Sequence, residues 1–276
     1  MIIKLPGGPV RLAANLGWLF TEVPFLERFE AAARAGFIAV EYSQPYGYDA
    51  ALLRHQLDQA GLRQILINTP AGTSKSTAKG WAFDPDARAE FRDGLKSGLD
   101  YAHELGASVL HATAGLRPAG CDPDRAFACY VANIVWAADQ ARGSGISIVL
   151  EAINKRDQPT YGLASAETAA YVAESAGTDV VGVLYDVYHA QVDRGDLLAR
   201  FDALRDEIKH VQIADSPGRG EPGTGEIAYP RVLDHIARSG YEGWVGCEYQ
   251  PTGDTVASLN WIDELADGPT YSMEQR

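Results

Sequence analysis

Eight short apolar runs, each followed by a longer stretch of helical periodicity, constrain this chain more than any other feature. The runs are Arg11–Leu16, Ile38–Tyr42, Gln64–Asn68, Ser108–Ala112, Ile146–Glu151, Val180–Asp186, Lys209–Ile213 and Trp244–Tyr249. Several are rich in β-branched residues, and all are short and bounded by turn signals, so they read as strands. The helical segments are Pro24–Ala35, Asp49–Ala60, Pro85–Leu105, Pro123–Arg142, Ala166–Ala176, Leu197–Arg205 and Tyr229–Arg238, with a last one near Val256–Leu265. Strands joined through helices pair in parallel, because parallel neighbours need a long crossover. Pro24, Pro85 and Pro123 stand near helix starts, where a missing N–H costs nothing. Gly36, Gly61, Gly106, Gly145 and Gly240 stand between a helix and the next strand, as helix-terminating glycines do.

Eight such units predict an α/β chain closed into a (β/α)8 TIM barrel. An open, doubly wound sheet uses the same units. It is disfavoured because Ala14-Asn15-Leu16-Gly17-Trp18 stands where a Gly-x-Gly-x-x-Gly turn would follow the first strand. The 276 residues suit one barrel, a fold of about 250 residues, so residues 1–276 are read as a single domain.

Composition excludes several classes of partner. The formal net charge is -13, and the 24 lysines and arginines are scattered without a basic run. That balance disfavours nucleic acid. Cys121, Cys129 and Cys247 include no Cys-x-x-Cys pair and imply a reducing compartment rather than a disulfide framework. The first residues lack the apolar core of a signal peptide, and no stretch approaches the roughly 20 apolar residues of a membrane span. A cytoplasmic location and no membrane partner are expected.

Where the strands turn polar points to chemistry. Ile148-Val149-Leu150 runs into Glu151, and Val183-Leu184-Tyr185 into Asp186; Gln212 lies within His210-Val211-Gln212-Ile213, and Val245-Gly246-Cys247 runs into Glu248. These four lie roughly one βα unit apart, at or near the C-terminal ends of the last four strands, which is the active-site face of such a barrel. A single one of them could simply begin an exposed loop. Four on consecutive strands form an all-oxygen set suited to one divalent metal ion, Mg²⁺ or Mn²⁺. Carboxylates crowded together without a cation would repel each other and lose hydration.

Longer blocks carry a family resemblance. They are Phe20-Thr21-Glu22-Val23-Pro24-Phe25-Leu26-Glu27-Arg28-Phe29, Asn68-Thr69-Pro70-Ala71-Gly72, Glu151-Ala152-Ile153-Asn154, Tyr188-His189-Ala190-Gln191, Glu221-Pro222 with Gly225-Glu226, and Gly240-Tyr241-Glu242-Gly243-Trp244-Val245-Gly246-Cys247-Glu248-Tyr249. Over nearly the whole chain the sequence resembles the hydroxypyruvate isomerase family of the xylose-isomerase-like barrels. The resemblance implies an intramolecular oxidoreductase that interconverts hydroxypyruvate and tartronate semialdehyde, or 2-oxo-tetronate and 3-oxo-tetronate. It also implies that Glu151 and Glu248 give and take protons, and that Glu151, Asp186, Gln212 and Glu248 hold the metal. Tyr42-Ser43-Gln44-Pro45-Tyr46 and Thr73–Lys79 depart from the family pattern, at positions that can line the substrate pocket.

Such a reaction passes through an enediolate, which a Lewis acid stabilises while carboxylates move the proton. The substrate's own carboxylate needs a cation. Arg219, after the seventh strand, is one candidate, and Lys155 and Arg156 after Glu151 are others, each equally readable as a solvated loop cation. His189 is expected to contact substrate, and its alternative is to orient Asp186. His111 has the same two readings or a place in the core, and His210, one layer deeper than Gln212, reads as structural. Glu41 ends the second strand and either supports the site from behind or begins a loop. Trp18, Trp81 and Phe20 either wall the pocket or fill the core.

The expected partner is a small hydroxy-keto acid or sugar, and self-association into a homo-oligomer is left open. On the same fold a ketose 3-epimerase would use the same glutamate pair. An apurinic endonuclease would need more histidines at strand ends and a less acidic surface. A non-catalytic ligand-binding barrel would not need both glutamates.

Overall fold

A computed structural model describes residues 1–267 of the chain. The first strand, β1 (Ile2–Leu5), forms an antiparallel hairpin with β2 (Gly8–Asn15). The barrel is then built from β2, β3 (Ala39–Glu41), β4 (Arg63–Gln64), β5 (Leu66–Asn68), β6 (Val109–His111), β7 (Ser147–Glu151), β8 (Val181–Asp186), β9 (Ile208–Ile213) and β10 (Trp244–Cys247). Each pairs in parallel with its neighbour, and β10 returns to β2. β4 and β5 are halves of one passage interrupted at Ile65. The Ile65 N–H donates to the Val40 carbonyl and its own carbonyl accepts from Val109 N–H, at 2.9 and 3.0 Å, which closes the ring. The result is one α/β barrel with eight strand passages.

The helices are α1 (Arg28–Arg34), α2 (Ala50–Ala60), α3 (Arg88–Leu105), α4 (Pro123–Ala141), α5 (Ala166–Ala176), α6 (Val187–Asp193), α7 (Leu197–Ala203), α8 (Tyr229–Arg238) and α9 (Trp261–Asp267). Their starts follow local chemistry: the side chains of Asp49, Asp122 and Ser165 accept backbone N–H groups at the entries to α2, α4 and α5. Gly61 and Gly106 end α2 and α3 in the left-handed conformation, with φ of 66° and 68°. Pro85 lies in the turn before α3 rather than inside it. The predicted segment Val256–Leu265 divides into a 3-10 turn at Ala257–Asn260 and α9. None of the described helices is long and apolar enough to cross a membrane.

The period of two along each strand sorts side chains between two cores. Leu12, Val40, Ile67, Leu110, Ile148, Val181, Val183, Val211 and Val245 belong to the large apolar core that includes the buried residues of the helices. Ala13, Ala39, Val109, Val149 and Leu184 form a separate, smaller cluster that fills the barrel's interior. Two residues further along the same strands come Asn15, Glu41, His111, Glu151 and Asp186, all buried. The barrel interior is thus apolar in its middle and polar one layer higher, at the C-terminal ends of the strands.

Candidate active site

Glu151, Asp186, Gln212 and Glu248 lie together at this mouth. Their side chains are not equivalent. Glu151, Asp186 and His189 each offer a donor atom within 4.8 Å of the others'. Glu248 joins them through Arg219, whose Nη2 lies 2.5 Å from Glu248 Oε1 and 3.5 Å from Asp186 Oδ2. Gln212 donates through Nε2 to Glu248 Oε2 at 2.8 Å and to Glu41 Oε1 at 2.7 Å.

Asp186 does two things locally. Its Oδ1 accepts the His189 N–H at 3.1 Å, capping α6 directly at the end of β8, while Oδ2 faces Arg219. The cap brings His189 back over the mouth, with Nε2 at 3.7 Å from Glu151 Oε1 and 3.8 Å from Asp186 Oδ2. Asn154 fixes the tautomer of this ring. Its Oδ1 accepts the Asp157 N–H at 2.9 Å, and its Nδ2 donates to Asp157 Oδ2 at 3.1 Å. The same Nδ2 is 2.7 Å from His189 Nδ1, which must therefore accept. The proton of the neutral ring then lies on Nε2, aimed at the carboxylates. His189 is close enough to the carboxylates to share an ion with them, but with its proton on Nε2 that nitrogen has no free lone pair to offer a metal.

Burial shapes the proton affinities. Removal from water raises the Glu151 carboxyl well above the usual carboxylate range, and the Glu248 and Asp186 charges push it further. Glu248 is likewise pushed up to about 8, first by burial, with Arg219 pulling it down and Asp186 and Glu41 adding to the rise. His189 and His111 are driven down by burial, to about 4 and about 3, and stand neutral. His111 packs behind Glu151, with Nδ1 3.6 Å from Oε2, too long for a hydrogen bond.

Arg219 is the cation in direct contact with the carboxylates, and Lys79 adds a second positive charge acting on Glu151 and Glu248 from further off. In a loop after β9 it takes a left-handed backbone with φ 59°. The loop is held by the fully buried Asp215, which accepts the N–H groups of Ser216, Gly223 and Ile227. The guanidinium lies between two rings, 4.7 Å from the centroid of Trp18 and 5.2 Å from that of Tyr188. Its Nε is buried with no hydrogen-bond partner. The sequence argument that crowded carboxylates call for a metal is therefore incomplete, because Arg219 already supplies one positive charge against Glu248 and Asp186.

Lys155 is not brought in: it is exposed and makes no hydrogen bond or ion pair among the described residues. Arg156 turns to Tyr188 Oη at 3.3 Å and to Asp157. Of the aromatic candidates, Trp18 reaches the site and Phe20 is in the core. Sequence reasoning missed Asn15 and Asn154. A usable signal existed for Asn15, which ends the apolar run Leu12-Ala13-Ala14 just as Glu151 ends its own.

The donor set fits a hard divalent cation. The carboxylates of Glu151, Asp186 and Glu248 and the Gln212 amide gather at one mouth. Burial together with their neighbours' negative charge makes Glu151 and Glu248 hold protons more tightly than free carboxyls do, which a bound cation would relieve.

Comparisons with known proteins agree with this architecture. A family model described as xylose isomerase-like TIM barrel matches residues 29–265. The hydroxypyruvate isomerase of Escherichia coli (strain K12) is 40% identical over 254 residues, covering 92% of this chain and 98% of that protein. The 2-oxo-tetronate isomerase of Cupriavidus necator is 39% identical over 252 residues, covering 91% and 97%. The crystal structure of an AP endonuclease, family 2, from Brucella melitensis superposes with a TM-score of 0.89 at 38% identity, covering 92% of this chain and 98% of that one. An L-ribulose 3-epimerase structure matches with a TM-score of 0.74 at 22% identity, covering 94% and 95%, and shares the fold.

Proposed function

The chain belongs to the xylose isomerase-like TIM barrel family, among its hydroxypyruvate and 2-oxo-tetronate isomerases, and from that premise we propose that it isomerises small hydroxy-keto acids. The substrates are hydroxypyruvate, converted to tartronate semialdehyde, or 2-oxo-tetronate, converted to 3-oxo-tetronate. One observation carries the choice of an acid over a neutral sugar. Arg219, stacked between Trp18 and Tyr188 beside Glu248, keeps a buried Nε without a partner. A buried donor left unpaired costs about 1–3 kcal/mol, and a substrate carboxylate removes that cost while matching the charge.

With the carboxylate held there, the carbons to be isomerised lie toward Glu151 and Glu248. One glutamate takes the proton from C3 of hydroxypyruvate, and the C–H electron pair becomes the C2–C3 double bond of the enediolate. The other glutamate returns a proton to C2. The O3 hydroxyl proton passes to O2, so the carbonyl moves from C2 to C3 with no net gain or loss of protons. Raised proton affinities make both groups better bases than ordinary carboxylates once they are ionised. His189 donates from Nε2 to a substrate oxygen, and its neutral ring avoids adding a further positive charge.

Glu151, Asp186, Gln212 and Glu248 would hold one divalent ion, Mg²⁺ or Mn²⁺. When bound, it supplies Lewis-acid stabilisation of negative charge on the substrate oxygens.

Initial rates on hydroxypyruvate, 2-oxo-tetronate and an uncharged ketohexose, measured side by side, test the reading. The keto acids are expected to have the higher kcat/KM. A preference for the ketohexose, with inversion at C3, would replace this reading with an epimerase.

A further inference from the structure

Glu41 is fully buried beneath the site and belongs to neither the proton-transfer pair nor the proposed ligands. Its Oε2 pairs with His210 Nε2 at 2.7 Å. Its Oε1 accepts from Gln212 Nε2 at 2.7 Å and from Asn15 Nδ2 at 3.0 Å. The same two amide nitrogens also donate to Glu248 Oε2, at 2.8 and 2.9 Å. Two carboxylate oxygens and two amide nitrogens therefore alternate around a square, and each amide uses both of its N–H bonds. Turning either amide over would set its oxygen against two carboxylate oxygens, so its orientation is imposed by its neighbours.

A glycine makes room for this arrangement. Gly246 lies opposite Gln212 in the β9–β10 ladder, and a Cβ on it would come within 2.3 Å of Glu41 Oε1. The glycine two residues before Glu248 thus lets Glu41 reach under that residue.

We infer that Glu41 is a positioning residue of the metal site, holding the Gln212 amide so that its Oε1, not its NH₂, faces the ion. This rests on the reading that the site binds a divalent cation. Carboxylates behind a ligand fix its orientation in many metal sites, and disturbing them costs on the order of 10- to 100-fold in metal affinity. Here the fixed ligand is an amide, for which the wrong orientation is a repulsive one.

Mn²⁺ binding to the full chain, read from the electron paramagnetic resonance signal of free Mn²⁺, tests the assignment without any activity measurement. Glu41→Asp keeps the charge but withdraws the acceptor by one methylene, and should weaken binding about tenfold or more. Glu41→Gln loses the charge, yet its carbonyl can still accept both amides while its nitrogen meets the other His210 tautomer. It should stay within about twofold of the wild type. In a Gln212→Ala background the effect of Glu41→Asp should shrink to about twofold or less, as expected when one residue acts through another. Equal or greater loss in Glu41→Gln than in Glu41→Asp would overturn the inference. So would an undiminished Glu41→Asp effect in the Gln212→Ala background, or no effect in either single variant. Absence of Mn²⁺ binding by the wild type would instead remove the metal reading on which the inference stands.

Discussion

Arg219 Nη2 lies 2.5 Å from Glu248 Oε1, so the cation proposed to hold the substrate carboxylate also touches a residue proposed to move its proton. Binding and proton affinity are therefore linked. Arg219 pulls the Glu248 proton affinity down against burial, and a substrate carboxylate at the guanidinium offsets part of that pull. Glu248 becomes a stronger base when the substrate is in place.

Arg219→Ala should raise KM for hydroxypyruvate by on the order of 10- to 100-fold, the worth of a charged hydrogen bond, and leave the KM of any neutral ketose turned over almost unchanged. Arg219→Lys should recover only part of the loss, because a lysine ammonium neither stacks between Trp18 and Tyr188 nor presents a planar fork. Steady-state kinetics on both substrate types would check this, and equal changes for both would count against Arg219 as the carboxylate seat.

The His189 tautomer gives a second test. Nitrogen-15 NMR of the imidazole should find the proton on Nε2 and the ring neutral down to about pH 4. Asn154→Asp replaces the donor at Nδ1 with an acceptor, and should draw a second proton onto the ring and move its titration upward. A proton found on Nδ1 in the wild type would free Nε2 as a ligand and contradict the donor role.

Stability should depend on pH in a defined direction. Glu248 is raised from 4.5 to about 8 in the folded chain, so the folded state holds that proton more tightly than the unfolded one. The resulting contribution is complete below about pH 4.5 and is lost as pH rises through about 8. His189 works the other way, but only between about 4 and its ordinary 6.5. Metal-free protein should therefore lose thermal stability between about pH 6.5 and 8, and Glu248→Gln should make that slope shallower, leaving the part due to Glu151, whose carboxyl is raised in the same direction. Thermal melts across this window would check it; an unchanged slope in the variant would contradict it.

The barrel was legible because parallel strands buried on both faces leave continuous apolar runs, and the helices between them carry their own caps and glycines. Two elements were not. β1 buries only Ile3 fully in an antiparallel edge, so it carries no run to read. α6 begins at Val187, immediately after the residue that ends β8, with Val187, Tyr188, His189 and Ala190 all buried. Neither a loop nor an amphipathic pattern separates the two.

Of the site, the carboxylates could be read because a charge ending an apolar strand is unusual. Neutral amides give no such signal: Asn15 and Asn154 could as well be turn residues. What sequence could not supply was which group faces which. Lys155, only four residues after Glu151, is exposed, whereas Arg219, far along the chain, is carried inward by a loop that Asp215 pins to the barrel.

Carbon-proton exchange measured in D₂O tests the central claim most directly. Incubated with hydroxypyruvate and Mn²⁺, the wild type should replace C3 protons with deuterium, seen as loss of the proton NMR signal. Glu248→Gln and Glu151→Gln, folded by thermal melt, should each slow that exchange by on the order of 100-fold or more. Exchange at the wild-type rate in both variants would contradict the assignment of these glutamates as the groups that move the proton.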